Sequence, residues 1–199
     1  EDEIESLFSK HIEFYGDQDL IAMSGLVTTL TWQKKVSEII RKHQPSTMIV
    51  SGGGLATEFR SVLFNWIPEL NGVAHSEGDD VILKLALDAK VLRKKSNTNL
   101  NKLKPYFLGE INGKNRFLYD GGRPSSLDEL PLPAWHLLEN DIFSNNIIEE
   151  YIKTPVWGLG ANNSSATPFK MERSLNTVSS RGCPFACKFC FRGAQGERN

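Results

Sequence analysis

The chain has 199 residues, 40% of them apolar and 24% charged, with a formal net charge of −1 at neutral pH. That length covers one good-sized domain, or one small domain and part of another. The charge balance excludes a strong general attraction to nucleic acid or to an acidic membrane surface, and no apolar run reaches the roughly 18–20 residues that span a bilayer.

The first residues, Glu1-Asp2-Glu3-Ile4-Glu5, are acidic and lack the basic and apolar regions of a secretion signal. The expected compartment is the cytoplasm. The missing initiator Met marks the chain as an expected piece of a longer one. A helical start then feeds the apolar run Leu20-Ile21-Ala22-Met23-Ser24-Gly25-Leu26, which reads as a buried strand. Thr31 is placed to cap the next helix. Trp32, Val36, Ile39, Ile40 and His43 fall on one face of that helix, and Pro45 stops it. Thr47-Met48-Ile49-Val50 is the second strand and runs into Ser51-Gly52-Gly53-Gly54. The helical stretch after it has Leu55, Phe59, Val62, Leu63 and Trp66 as its apolar side. Gly72-Val73-Ala74-His75 is a short third strand. Glu77-Gly78-Asp79-Asp80 opens a third helix carrying Ile82, Leu85, Ala86 and Ala89, with its acids at the positive end of the helix dipole.

This alternation predicts an α/β domain over residues 1–95, an open parallel sheet flanked by helices. Such sheets normally begin with a strand, so an upstream strand and helix are expected before Glu1. After Lys95 the composition changes. Residues 96–101 are polar, and Tyr106–Ile111 and Arg116–Tyr119 flank the hairpin signal Asn112-Gly113. Gly121–Pro133 holds three Pro and two Gly and predicts an extended strap. Ala134–Phe143 predicts a short helix. Residues 96–170 thus form a hairpin, Pro-rich strap and linker, with Gly158–Pro168 as the expected mobile loop. Ser174–Val178 predicts a strand leading into the cysteine loop.

All three Cys lie in Arg181-Gly182-Cys183-Pro184-Phe185-Ala186-Cys187-Lys188-Phe189-Cys190, spaced Cys-x3-Cys-x2-Cys. An odd, clustered count suits a metal or cluster site in a reducing compartment better than a disulfide framework. Iron–sulfur clusters use Cys thiolates, and cubanes ordinarily take four. Three on one short loop can hold three irons and leave the fourth open to a substrate or cofactor. Zinc, with a distant His75 or His136 as fourth ligand, is a competing reading; three unrelated thiols, or a disulfide plus one odd Cys, are others. Ser51–Gly54 also reads two ways: close ligand approach at a strand–helix turn, or a plain tight turn. His75 reads as a structural histidine at a strand end.

With Phe189 before the third Cys, this loop resembles the radical S-adenosylmethionine superfamily, whose signature is Cys-x3-Cys-x-aromatic-Cys; the preceding strand and the Arg-Gly-Cys-Pro lead-in are similar as well. The resemblance implies that Cys183, Cys187 and Cys190 bind three irons of a 4Fe–4S cluster, that S-adenosylmethionine chelates the fourth, and that Phe189 lies at the cofactor. It further implies a one-electron reductant such as flavodoxin or ferredoxin, cleavage of the cofactor to methionine and a 5′-deoxyadenosyl radical, and hydrogen abstraction from a small-molecule substrate. Residues 171–199 would begin a partial TIM barrel, too short here to be catalytically complete.

Order along the chain extends the likeness. Ser24-x-Leu26, Gly53-Gly54, Glu77-Gly78-Asp79, the hairpin, the Leu130–Pro133 strap and the Cys loop together resemble members with an N-terminal cobalamin-binding domain, over nearly the whole chain. In those domains the Ser-x-Leu and Gly-Gly segments contact the nucleotide tail of cobalamin, which implies that Ser24, Leu26, Gly53 and Gly54 do so here. The Asp-x-His-x-x-Gly segment that ligates cobalt in many of them has its place upstream of Glu1. The implied activity is a cobalamin-dependent methyl transfer to an unactivated carbon. The alternatives are a methylthiotransferase-like enzyme without cobalamin, whose upstream domain recognises tRNA or substrate, and a zinc-holding module with no enzymatic activity.

Overall fold

Apolar segments cut by turn residues pair into one sheet, seen in a computed structural model that describes residues 3–93, 106–111, 113–122, 126–139, 146–153, 181 and 187–189. The strands are β1 (Leu20–Ser24), β2 (Met48–Gly52), β3 (Gly72–Ser76), β4 (Phe107–Ile111) and β5 (Lys114–Gly121), in the order β1-β2-β3-β5-β4. β1, β2, β3 and β5 run parallel, and β4 pairs antiparallel with β5. The fold is therefore α/β with a mostly parallel mixed sheet. The hairpin, grouped by sequence with the strap and linker, belongs to this sheet: its second strand pairs with β3, setting His75 beside Asp120 and Ser76 beside Gly121.

Helices α1 (Glu3–Tyr15), α2 (Leu30–His43), α3 (Gly53–Phe59), α4 (Leu63–Trp66) and α5 (Asp79–Arg93) accompany the sheet. Strand alternation sends side chains to opposite faces. One core joins Met23, Ile49 and Val73 to Ile40 of α2 and to Leu55, Ala56, Leu63 and Phe64 of α3 and α4. The other joins Met48, Val50, Phe117 and Tyr119 to Val81, Leu85 and Ala89 of α5. The chain divides into two compact units after Leu130. In the second, the described elements are a 3-10 turn at Trp135–Leu138, inside the stretch expected as a helix from Ala134 to Phe143, and α6 (Ile147–Lys153).

Three helix expectations shift. A 3-10 turn at Val27–Thr29 precedes α2, so Thr29, not Thr31, is its N-cap. α2 buries Gln33 and Ser37 along with Ile39 and Ile40, while Trp32 is about half exposed. Polar residues go inward there because they have buried partners. The helix after β2 breaks at Arg60–Val62, leaving Val62 and Trp66 partly exposed. On α5 the inward face is Val81, Leu85, Asp88 and Ala89, and Ile82 and Ala86 are exposed. Buried Asp88 accepts the Tyr119 hydroxyl at 3.0 Å and pairs with Lys84. That anchor sets the roll of α5. The burial of Tyr119, and then the Asp88 carboxylate beside it, push its phenol pKa well above the ordinary value.

Among the described residues, no helix is long and apolar enough to cross a membrane. The predicted barrel start at residues 171–199 lies outside the described residues apart from 181 and 187–189.

Candidate functional site at the carboxyl edge of the parallel strands

In open α/β sheets, ligands bind outside the carboxyl ends of the strands. At this edge β1 and β2 deliver the two segments singled out by sequence, Ser24-Gly25-Leu26 and Gly53-Gly54, and the structure brings them into contact. Ser24 pairs with Gly52 at the end of the ladder. The Leu55 N–H donates to the Gly25 carbonyl at 2.9 Å, tying the two loops together. Gly53 has φ +74°, and a Cβ there would lie 2.5 Å from Ser24 Oγ and 3.0 Å from the Gly25 nitrogen. A Cβ on Gly54 would press against Leu26. No other residue type fits Gly53 without moving the β1 loop, because both the backbone angle and the space demand glycine. Leu26 and Val27 are exposed on this rim.

A buried polar relay sets the β1 loop. Ser51, the last fully buried residue of β2, donates its hydroxyl to Gln33 Oε1 at 2.7 Å. Gln33 Nε2 donates to Thr29 Oγ1 at 3.2 Å, and Thr29 Oγ1 donates to the Leu26 carbonyl at 2.8 Å. The chain of bonds runs from a rigid central strand to the backbone of the predicted ligand-contacting residue. Buried polar groups satisfied in this way specify geometry. Sequence reading missed Gln33 and Thr29; the one available signal was an uncharged polar residue among the apolar positions of α2.

A second group sits at the ends of β3 and β5. His75 is 5% exposed. Its Nδ1 lies 3.2 Å from Ser76 Oγ and 3.2 Å from Asp120 Oδ1. Burial lowers the His75 pKa, Asp120 works against that, and Arg60 adds to it. The imidazole is therefore held neutral near pH 7. Thr57 links this group to the glycine turn: its hydroxyl donates to the Gly53 carbonyl at 2.9 Å and accepts the Ser76 N–H at 3.0 Å. Ser76 (φ +67°) and Arg60 (φ +45°) are the non-glycine residues with left-handed φ among the described residues, and both stand here. Strain of that kind costs on the order of 1–3 kcal/mol per residue and tends to gather at functional sites.

The carboxyl edge can thus offer a glycine-floored contact between two strand ends, a neutral imidazole and several hydroxyls. These are groups suited to the amide and hydroxyl periphery of an organic cofactor. Of the predicted cluster residues, Cys187 is exposed and in no disulfide, and Phe189 is 93% exposed. Cys183 and Cys190 lie outside the described residues. Among the described residues no three His, Cys, Asp or Glu side chains gather in a metal-holding group.

No protein-family model, no curated protein and no solved structure matches this chain.

Proposed function

We propose that the chain is part of a radical S-adenosylmethionine enzyme in which Cys183, Cys187 and Cys190 hold a 4Fe–4S cluster and the α/β unit binds cobalamin. The observation that carries the reading is the spacing Cys-x3-Cys-x2-Cys with Phe189 in the aromatic place. Three thiolates on one tight segment satisfy three irons and leave one coordination corner for the amino and carboxylate groups of S-adenosylmethionine. The exposed, unbridged Cys187 thiol fits that donor role. A cluster held by these three residues would supply one-electron reduction of the sulfonium, the chemistry that cleaves S-adenosylmethionine to methionine and a 5′-deoxyadenosyl radical.

Support for cobalamin comes from the carboxyl edge. Ser24-Gly25-Leu26 lies against Gly53-Gly54, where a side chain would fill the space. In this reading those residues line the path of the nucleotide tail, Leu26 and Val27 supply apolar contact, and the Ser51–Gln33–Thr29 relay holds the β1 loop in place. A small-molecule substrate accepts the methyl group.

Anaerobic reconstitution with iron and sulfide should give about four irons per chain, as one cubane requires. The triple Cys183→Ala, Cys187→Ala, Cys190→Ala variant should give none. Equal iron in the variant overturns the cluster assignment, and one tightly held zinc with no iron supports the metal-binding module instead. Cobalamin titration followed by absorbance tests the other half: a spectral change supports the reading, and none favours the methylthiotransferase-like alternative.

A further inference from the structure

Helix α5 is apolar on both sides, and the sheet accounts for one of them. Val81, Leu85, Asp88 and Ala89 are buried, with Val81, Leu85 and Ala89 in the core against the strands. On the opposite side Ile82, Leu83, Leu87 and Val91 stand 51, 68, 54 and 37% exposed, and Ala86 is exposed among them. A surface helix ordinarily turns charged residues outward. α2 does so, with Lys34, Lys35, Glu38 and Lys42 exposed. A helix that is apolar all round is ordinarily a covered one, and an exposed apolar patch rimmed by charge marks a contact surface.

The residues on this outer side have an order. Asp80, Leu83, Leu87 and Lys90 are all exposed and follow one another at spacings of three, four and three. At about 100° per residue, those spacings keep the four within about 80° of arc, as one stripe along the helix. The stripe is symmetric about the level of Leu85. Leu83 and Leu87 lie two positions either side of it, and Asp80 and Lys90 lie five positions either side with opposite charge. The helix dipole suits the sign of each charge but does not explain the leucines between them. Other charged residues of α5 are engaged within the chain: Lys84 with Asp88, and Arg93 with Asp17 and Asp19. Asp80 and Lys90 make no ion pair among the described residues.

We propose that the outer side of α5 is the interface of a homodimer, packed antiparallel on the same helix of a second copy about a twofold axis. A twofold contact uses one patch on both subunits, so the patch must complement itself. This stripe does. With the axis at the level of Leu85, Leu83 meets Leu87 of the second copy, and Asp80 meets Lys90 of the second copy, each contact occurring twice. Parallel packing would set Asp80 against Asp80 and Lys90 against Lys90, so charge selects the antiparallel arrangement. Ile82, Ala86 and Val91 flank the seam. Residues 80–90 span only about 15 Å of helix, so the buried area falls short of the roughly 1,600 Å² of a standard interface. The dimer is accordingly a weak one, with a dissociation constant between about 1 µM and about 1 mM. It depends on neither cobalamin nor cluster.

Sedimentation equilibrium of the whole chain, from about 1 µM to about 1 mM, reads the association. The average mass of the wild type should climb from one chain toward two. The Leu83→Ser, Leu87→Ser double variant should stay at one chain throughout. Asp80→Lys and Lys90→Glu should each weaken the dimer about tenfold or more, because each turns two attractive contacts into two repulsive ones. Combining Asp80→Lys with Lys90→Glu restores opposite charges across the axis and should return the dissociation constant to within about threefold of wild type. The substituted side chains are exposed, and an unchanged circular dichroism spectrum shows that each variant is folded. The proposal is overturned if wild type remains one chain at every concentration, which would leave the stripe to a different protein or another segment. It is equally overturned if the double leucine variant still dimerises, which would place the interface elsewhere. Failure of the exchanged charge pair to rescue the single variants would rule out the antiparallel twofold contact.

Discussion

The two edges of one sheet are built on different physics. At the carboxyl edge, backbone does the shaping: Gly53 takes a left-handed φ, the Leu55 N–H reaches the Gly25 carbonyl, and a neutral relay through Gln33 holds the Leu26 carbonyl. The rim residues Leu26 and Val27 are exposed there. At the amino edge, long cationic side chains do the work. Arg41 alone reaches across to Glu69, Pro45, Thr47 and Asn71. The Asn71 amide oxygen in turn accepts the Ile49 N–H at 3.0 Å. One edge is shaped so that something can approach the backbone; the other is clamped by cations that converge on Glu69 and the carbonyls around it.

The comparison breaks most readily at Arg41. Arg41→Leu would leave the Glu69 carboxylate to Lys114 alone and take the donor from three backbone carbonyls at once, and should cost about 3–5 kcal/mol, since each unmet buried acceptor costs about 1–3 kcal/mol. Urea unfolding at pH 7 measures it. A cost below about 1 kcal/mol, the level of a surface ion pair, would mean that the amino edge is no clamp.

A smaller effect is expected at the other edge. Gly53→Ala forces a Cβ onto Ser24 Oγ at a left-handed backbone position and should cost about 1–3 kcal/mol. Because the damage is local, the amide protons of Leu55 and Thr29 should exchange faster, while those in the middle of β2 change only with global stability. Uniform loss of protection across the sheet would show that the two edges are not independent.

The smallest effect concerns His75. Its folded-state pKa lies below the usual 6.5, first because of burial. The unfolded chain therefore binds more protons as the pH falls, so stability is full above about pH 6.5 and declines as the pH drops toward the folded value. His75→Gln should flatten stability against pH in that window. Glu69, and Glu5 paired with Lys42 and His43, have carboxyls held below the usual 4.5. Their contributions are present above about pH 4.5 and are lost below it, at lower pH than the His75 window. An unchanged slope in His75→Gln would remove the imidazole from the carboxyl edge's electrostatics.

Much of this was legible from residue order. The strand segments, the strand–glycine–helix turn at Gly53 and the Asn112-Gly113 hairpin signal rest on short-range rules of burial period and turn chemistry. The helix faces came out only in part: Leu85 and Ala89 of α5 and Ile39 and Ile40 of α2 are buried as expected, but their companions differ. On α5, Ile82, Leu83 and Leu87 are as apolar as Val81 and Leu85, so periodicity alone cannot set the roll, and the Asp88–Tyr119 bond decides it. On α2 the inward Gln33 looks wrong until Ser51 and Thr29 are seen on either side of it.

By itself, then, the amino-acid sequence determined the local elements and the α/β class, and it holds the Cys-x3-Cys-x2-Cys spacing on which the proposed function rests, because each depends on neighbours within a few positions. Only the tertiary structure decided that the hairpin completes the sheet beside β3, that Ser24-Gly25-Leu26 meets Gly53-Gly54, and that Arg41 and Lys114 share the Glu69 carboxylate. Those are pairings across roughly thirty to seventy-five positions. They are set by the order and register of strands and by which buried polar group finds a partner, and no local period encodes either.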